Sequence, residues 1–511
     1  MSSVTADPPA AGPARAASSA GEALPPRTVW LHGTMGLPLA VIGYPLSIWI
    51  PAHYAGALGL PLATVGTMLM LARLSDVVTD PLLGELSDRT RSRFGRRRPF
   101  LLLGTPLMML GAWQLFVPPD GAGLLYFLSW LTLFFLGSTL IQLPHAAWGA
   151  ELSPDYHQRA RVTAAREVYV LAGLMVAAAV PMIVEVMADR GTGLAGVLEH
   201  GWRTVLAWIP GTGAAPPEET ASIPRAALTG PVLSGLALTV ITLLPVCATL
   251  VAFGVAEPRW RHSARVPLRE GLRLVSRNGP MKRVLLIALL VYFGEAFRNA
   301  VSLFFIRDII GLGSIGSAYF LYFVAGIAAI PFWLGLGRRI GKHRAFLCTL
   351  VTVASVSAAN FFLGYGDYEA FFALFVLKGF CFGGLQFLPA AMLADVVDVD
   401  SMRSGGHRAG TYFALLGMTV KLAIAFGTGA SLNAVGLLGF DAAAGVAGST
   451  EAGVLALRIV YTMGPVLFFG SALWLIWSYP LTPERHARLR ERMARRAARL
   501  RPATAPAETG A

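Results

Sequence analysis

Two aspartates, Asp76 and Asp80, stand four residues apart in an apolar run that turns basic, ARLSDVVTDPLLGELSDRTRSRFGRRRPF, residues 72–100. On a helix, i and i+4 lie on one face, one turn apart. Carboxylates that close repel each other unless a proton, a cation or a basic side chain compensates them. In a hydrocarbon layer the need is sharper, since a charge at mid-bilayer costs ~2.5 kcal/mol or more. Bound Na+ would draw on carboxylate, hydroxyl and carbonyl oxygens, whereas a proton would neutralise one acid. Lys421, in a distant apolar run, could pair with the acids when neither ion is bound. A static ion-pair network that only holds helices together would satisfy the same charges.

Other ionisable residues fall inside apolar runs: Arg73 beside the acids, Arg166 with Glu167, Glu295 with Arg298, and Lys378. Glu295 and Arg298, one turn apart, read equally as a self-contained ion pair or as site residues. Lys378 reads equally as a residue near the outer end of its segment, its ammonium snorkelling to water, or as a site residue. Familiar catalytic patterns are missing. GRRIGKHR carries a Gly-Lys pair followed by His343, without the glycine spacing of a phosphate-binding loop, and no HExxH or GxSxG occurs. The chain does not read as an enzyme, and any driving force must come from a gradient.

Composition agrees with a membrane setting. Of 511 residues 55% are hydrophobic and 14% charged, with a mean hydropathy of +0.59; soluble chains carry about 25% charged residues. The net charge of +13 would suit nucleic acid, but the basic residues sit in short loops and the C-terminal tail, and no aromatic-basic nucleic-acid motif accompanies them. Cys247, Cys348 and Cys381 lie in apolar runs without CxxC spacing and read as small hydrophobes.

Twelve apolar segments of spanning length follow one another, near 29–54, 62–86, 100–117, 123–148, 163–187, 229–255, 283–308, 316–336, 345–364, 370–395, 411–437 and 453–478. Basic loops alternate with loops that, apart from the one over 188–228, lack Lys and Arg, so the positive-inside rule places both termini in the cytoplasm of a polytopic plasma (inner) membrane protein. Residues 1–27, rich in Ala, Pro and Ser, read as a disordered tail with no signal peptide. A loop over 188–228 carries both signs and no recognisable chemistry. The tail, 479–511, is basic and reads as a solvated topology signal or as an amphipathic helix on anionic lipid. FGRRRPF after the second segment is echoed by RRIGKHRAF after the eighth, and STLIQLPHAAWGAEL by GGLQFLPAAMLADV. The expected architecture is an all-α membrane protein of two pseudo-symmetric six-helix bundles, 28–255 and 283–478, joined by a basic cytoplasmic loop at 256–282. Repeat transporters place their substrate site between such halves, near the midplane.

The pattern Asp-x3-Asp-Pro-x2-Gly-x3-Asp-Arg-Thr-Arg-Ser-Arg-x-Gly-Arg, from Asp76 to Arg96, resembles the signature of the glycoside–pentoside–hexuronide cation symporters, a branch of the major facilitator superfamily. The likeness continues in LPHAAWGAELSPDYHQRARVTAAREVYVLAG and ADVVDVDSMRSGGHRAGTYFALLGMTVK. It implies the major facilitator fold of twelve helices, with Na+, Li+ or H+ driving uptake of a sugar. On that likeness Asp76, Asp80 and Thr139 bind the cation, with Thr79 where the family places an asparagine ligand. Lys421 couples the site, and Arg166 contributes to sugar binding. Asp88, Arg89, Gly95 and Arg96 match the superfamily's cytoplasmic gate, whose ion pairs form in the outward-open state. Two family positions depart: the sugar-gripping acid of the fourth segment is Gln142, and TMGLPLAVIGYPL in the first contains no acid.

A carboxylate accepts paired hydrogen bonds from vicinal hydroxyls, which one amide cannot reproduce. Gln142 and Gln386, just ahead of the two Leu-Pro steps, are the candidate pocket residues, or else amides bonding between helices. The expectation is a monomeric cation-coupled symporter for a small polar solute, a sugar or glycoside, with no cofactor beyond the transported Na+ or H+. Two rivals stand beside it: a transporter of an amphipathic, lysolipid-like substrate, and a non-transporting sensor or scaffold on the same fold.

Overall fold

The structure, a computed structural model, describes residues 24–153, 155–190, 225–257, 278–313, 315–404 and 409–478. Most of the N-terminal tail, the 188–228 loop and the central loop, and all of the C-terminal tail, lie outside the described residues.

Among the described residues, eleven helices are long and apolar enough to cross a membrane, and a bent pair makes a twelfth span. In chain order they are α1 (Pro26–Ala57), α2 (Leu62–Arg89), α3 (Arg98–Phe116), α4 (Leu124–Glu151), α5 (Gln158–Met187), α6 (Thr229–Gly254), α7 (Gly279–Asn299 with Ser302–Ile310), α8 (Ile315–Ile340), α9 (Lys342–Phe362), α10 (Tyr368–Val397), α11 (Thr411–Leu437) and α12 (Glu451–Trp477). Each covers one of the twelve expected segments. The first begins at Pro26 and the seventh at Gly279, slightly before the expected starts. α7 bends by 44° at its break, which no proline or glycine at residues 300–301 announces. Large apolar side chains such as Val78, Leu82, Leu103 and Phe253 stand exposed on the outer faces, as lipid contact requires.

Helix packing repeats between the halves. α3 lies along α4 and α6 as α9 lies along α10 and α12; α1 packs on α5 and α6 as α7 packs on α11 and α12; α2 meets α4 as α8 meets α10. The two extensive contacts between halves, α2 with α11 and α5 with α8, are themselves equivalent. The correspondence reaches single bonds. Both α1 and α7 finish in a six-residue π turn, Ala52–Ala57 and Phe305–Ile310. Leu60 N–H then donates to the Tyr54 carbonyl at 3.0 Å and Leu312 N–H to that of Ile306 at 3.1 Å.

The halves close on each other at the end opposite the arginine loop. There α2 and α11 approach through small residues: a Cβ on Gly66 would stand 2.6 Å from the Leu432 Cβ, and one on Gly436 2.7 Å from the Ala63 nitrogen. Such contacts carry helix association in lipid, where no hydrophobic driving force separates protein from solvent. Thr67 donates across the same seam to Asn433 Oδ1 at 3.1 Å. On the equivalent seam the Glu185 carboxylate of α5 accepts the Gly316 N–H at the start of α8, at 2.7 Å.

Candidate cation and substrate site

α2 is interrupted at Ser75, so that Asp76 opens a second helical stretch, Asp76–Arg89. Pro81 within that stretch has no N–H to offer the Val77 carbonyl one turn back. Both features leave backbone polar groups available next to the acids. Lys421 of α11 reaches across the seam between the halves. Its Nζ lies 2.6 Å from Asp80 Oδ2 and 3.3 Å from Asp76 Oδ2, so one ammonium bridges both carboxylates. Thr139 of α4 donates to Asp80 Oδ1 at 3.2 Å. The expected set of Asp76, Asp80, Thr139 and Lys421 is therefore gathered from three helices into one cluster.

The second oxygen of Asp76, Oδ1, is buried with no hydrogen-bond partner among the described residues. An ionised oxygen left bare in an apolar interior is costly, and a proton or a cation at this atom would remove that cost. Asp76 is nearly sealed, its side chain 5% exposed, whereas Asp80 at 24% and Lys421 at 29% face open space. Thr79 is half-buried one turn along, with no side-chain hydrogen bond among the described residues. Arg73 completes the cluster. Its guanidinium lies over the Phe135 ring at 4.5 Å, and with Lys421 it brings two positive charges to two negative ones. The sequence showed Arg73 beside the acids but gave it no role.

Gln142 and Gln386 are both exposed, on α4 and α10, and the burial pattern of the residues after each runs in parallel. The Gln142 amide donates to Ser138 Oγ, one turn back, at 2.5 Å. Arg166 of α5 is held by its neighbour Glu167 at 2.6 Å rather than by the α2 acids. Its backbone meets α1, where a Cβ on Gly36 would stand 2.6 Å from the Arg166 carbonyl oxygen.

The arginine loop is ordered by three acids. Arg97, 4% exposed, binds Asp88 at 2.5 Å and Glu151 at 2.8 Å, and Arg96 binds Glu151 at 2.5 Å. The backbone N–H groups of Arg96 and Arg97 donate to Glu257 Oε1 at 2.7 and 2.8 Å. Gly95 sits at φ 108°, where an L side chain is strained, and a Cβ there would displace the Glu257 carboxylate. Of the four expected gate residues, Asp88, Gly95 and Arg96 take part. Arg89 instead pairs with Glu85, one turn back, on the exposed surface of α2. Arg97, Glu151 and Glu257, which the motif did not name, hold the loop by these contacts. The C-terminal half repeats the arrangement: Gly341 at φ 91° precedes Lys342, which binds Asp395 at 2.7 Å.

Lys378 does not snorkel. It lies inside α10, 2% exposed, with Nζ 2.9 Å from Glu295 Oε2 of α7. A buried carboxylate within reach holds the ammonium more favourably than the distant interface could. Arg298 is 3.8 Å from the same Glu295 oxygen and donates to the Tyr461 hydroxyl at 3.2 Å and to Asn299 Oδ1 at 2.8 Å. Glu295 and Arg298 are therefore not a self-contained pair.

Comparison with known proteins bears on this geometry. The family described as MFS/sugar transport protein matches residues 31–483. An uncharacterized symporter of Synechocystis sp. is 23% identical, covering 84% of this chain and 90% of that protein. The sodium-dependent lysophosphatidylcholine symporter 1-A of Danio rerio is 24% identical, covering 90% and 87%. The glucuronide carrier protein homolog of Escherichia coli is 24% identical, covering 86% and 89%. Among solved structures, a bacterial homolog of the human lysosomal transporter Spinster superposes with a TM-score of 0.61 at 13% identity, covering 90% of this chain and 100% of the other. The nucleoside transporter NupG gives 0.56 at 11% identity, covering 89% and 98%. With the twelve spans, the repeated packing and a family match across nearly its whole length, the chain belongs to the MFS/sugar transport family and is a polytopic membrane transporter of the major facilitator fold.

Proposed function

We propose that the protein is a cation-coupled symporter, carrying one small polar solute together with Na+ or H+ by alternating access. The observation that carries this reading is the single ammonium of Lys421 shared by Asp76 and Asp80 across the seam between the halves. An ion pair near 4 Å is worth about 4 kcal/mol at an effective dielectric of 20, so simply pulling α11 off α2 would be slow. A cation entering between the acids replaces one positive charge with another. The carboxylates stay compensated, Lys421 is released, and α2 and α11 are free to part. Asp76 Oδ1 and Thr139 Oγ1 supply the further oxygens that Na+ would need, while a proton would settle on an acid.

Relatives named as symporters support this reading. Basic loops on one side favour a plasma (inner) membrane setting with both termini in the cytoplasm. The protein would act as a monomer, with the gradient as its energy source and no cofactor. For the solute, a sugar or glycoside fits the family and the relative named as a glucuronide carrier homolog. A lysolipid is the second reading, favoured by the absence of sugar-gripping acids: Gln142 is occupied with Ser138, and the first span has none. A sensor or scaffold would have no use for an exchangeable cation site. The test is solute uptake in proteoliposomes by wild type and Asp76→Asn. Symport predicts gradient-driven accumulation that the variant loses; a variant that accumulates solute like wild type would sink it.

A further inference from the structure

The symport mechanism makes no use of the charged cluster inside the C-terminal half. Glu295 and Arg298 come from α7 and Lys378 from α10, and Arg298 and Lys378 are 4% and 2% exposed. Two bases face one acid, which leaves one positive charge over. A pair that merely fastens α7 to α10 needs one base per acid, and Lys378 with Glu295 at 2.9 Å already provides it. Arg298 is surplus to that fastening, and its other partners, Tyr461 and Asn299, are neutral. An uncompensated charge at this depth is expensive and calls for an anion. Two buried polar atoms of the cluster have no hydrogen-bond partner among the described residues, Arg298 Nε and Glu295 Oε1.

The cluster also borders the seam between the halves. Tyr44 of α1 stands edge-on to Phe323 of α8 at 4.7 Å and to Phe382 of α10 at 5.9 Å, and Phe323 in turn touches Tyr322 at 5.2 Å. Rings from both halves thus adjoin the surplus charge. Such faces accept the apolar face of a sugar or the neck of a lipid, while Arg298 offers planar paired donors to a carboxylate or phosphate.

We propose that the Arg298–Lys378–Glu295 cluster is a second half of the substrate site, and that it takes the anionic group of the transported solute. This rests on the transporter reading above and narrows it: the cargo carries a carboxylate or a phosphate. The cation site on α2 needs no such group, since its two acids already face Arg73 and Lys421.

The test uses the full chain in lipid nanodiscs, with ligand-induced thermal stabilisation read against matched probes: a nitrophenyl glucuronide against the nitrophenyl glucoside, glucose 6-phosphate against glucose, and lysophosphatidylcholine against monoacylglycerol. At least one phosphate or carboxylate probe should bind tenfold or more tightly than its uncharged partner, and which one does so separates the sources. Arg298→Gln keeps the Lys378–Glu295 pair and brings the cluster to neutrality, so it should erase that preference while leaving the weaker uncharged partner's affinity within about threefold. Glu295→Gln raises the surplus charge and should bind the anionic probe at least threefold more tightly, a gain no misfolded protein can show. Wild type without any preference for the charged member, or both variants keeping wild-type preference, would overturn the proposal. Each titration is run with and without Na+ and at two pH values. Anion preference without cation dependence would overturn symport and leave this site standing; cation dependence without anion preference would do the reverse.

Discussion

Lys421 Nζ lies 2.6 Å from Asp80 Oδ2, although 341 residues separate them and they belong to opposite halves of the molecule. The pair is at once an ion-site competitor and a fastening between α2 and α11. These two roles move in opposite directions when the lysine is removed. Lys421→Gln should bind the coupling cation more tightly, by about tenfold, because the cation no longer displaces a resident ammonium. Transport should nevertheless fall, since binding no longer releases a bridge. Titrating thermal stability with NaCl against choline chloride, and with pH, measures the first effect, and uptake measures the second. Weaker cation binding in the variant would contradict the competitor role.

Thr139 should matter less than the acids. Its hydroxyl makes one hydrogen bond to Asp80 Oδ1, worth about 1 kcal/mol, so Thr139→Val is expected to weaken cation binding roughly fivefold. Asp80→Asn should abolish cation-dependent stabilisation, because it removes the charge that both Lys421 and the cation require. Equal effects from the two substitutions, in the same salt titration, would show that the cluster is not organised around the carboxylates.

Gly95→Ala should damage the arginine loop. The substitution imposes a side chain at φ 108° and drives it into Glu257, which ties the backbone of Arg96 and Arg97. Backbone strain of this kind costs on the order of 1–3 kcal/mol. The expected outcome is a melting temperature lower by several degrees and slower uptake, with cation affinity unchanged because the acids lie far up α2. Thermal melts and the salt titration check both parts.

The seam at the end opposite the arginine loop should resist added bulk. Gly66→Val would place its side chain against Leu432, where a Cβ alone already stands at 2.6 Å. The halves should then favour separation at that end. A cysteine in place of Asn433, which Thr67 now covers, should react several-fold faster with a membrane-impermeant maleimide in the Gly66→Val background. An unchanged rate would mean that the glycine contact does not hold this end closed.

Much of the architecture was legible because a bilayer makes strong demands. Twelve apolar runs became twelve spans, since a backbone in lipid must satisfy its own hydrogen bonds over about 20 residues. The break in α7 near Ala300 was not legible, because no proline or glycine stands there, and neither were the π turns ending α1 and α7. In the site, Asp76 and Asp80 announced themselves by spacing and Lys421 by its charge in an apolar run, and family likeness added Thr139. Partners set by tertiary packing stayed hidden. No pattern ties Lys378 to Glu295, 83 residues away, or the backbone of Arg96 to Glu257. Arg89 shows the converse: the motif includes it, while the structure pairs it with Glu85 on the surface and has Arg97 bind Asp88.

The central claim is that a cation gradient moves a solute through the Asp76–Asp80 site. Uptake of the probe that binds best, into proteoliposomes holding wild type or Asp80→Ala, under an inward Na+ gradient, an inward proton gradient or neither, tests it most directly. The account predicts that one gradient drives wild type to accumulate the probe above its external concentration and that Asp80→Ala only equilibrates it. Accumulation with neither gradient, or wild-type coupling in Asp80→Ala, would contradict it.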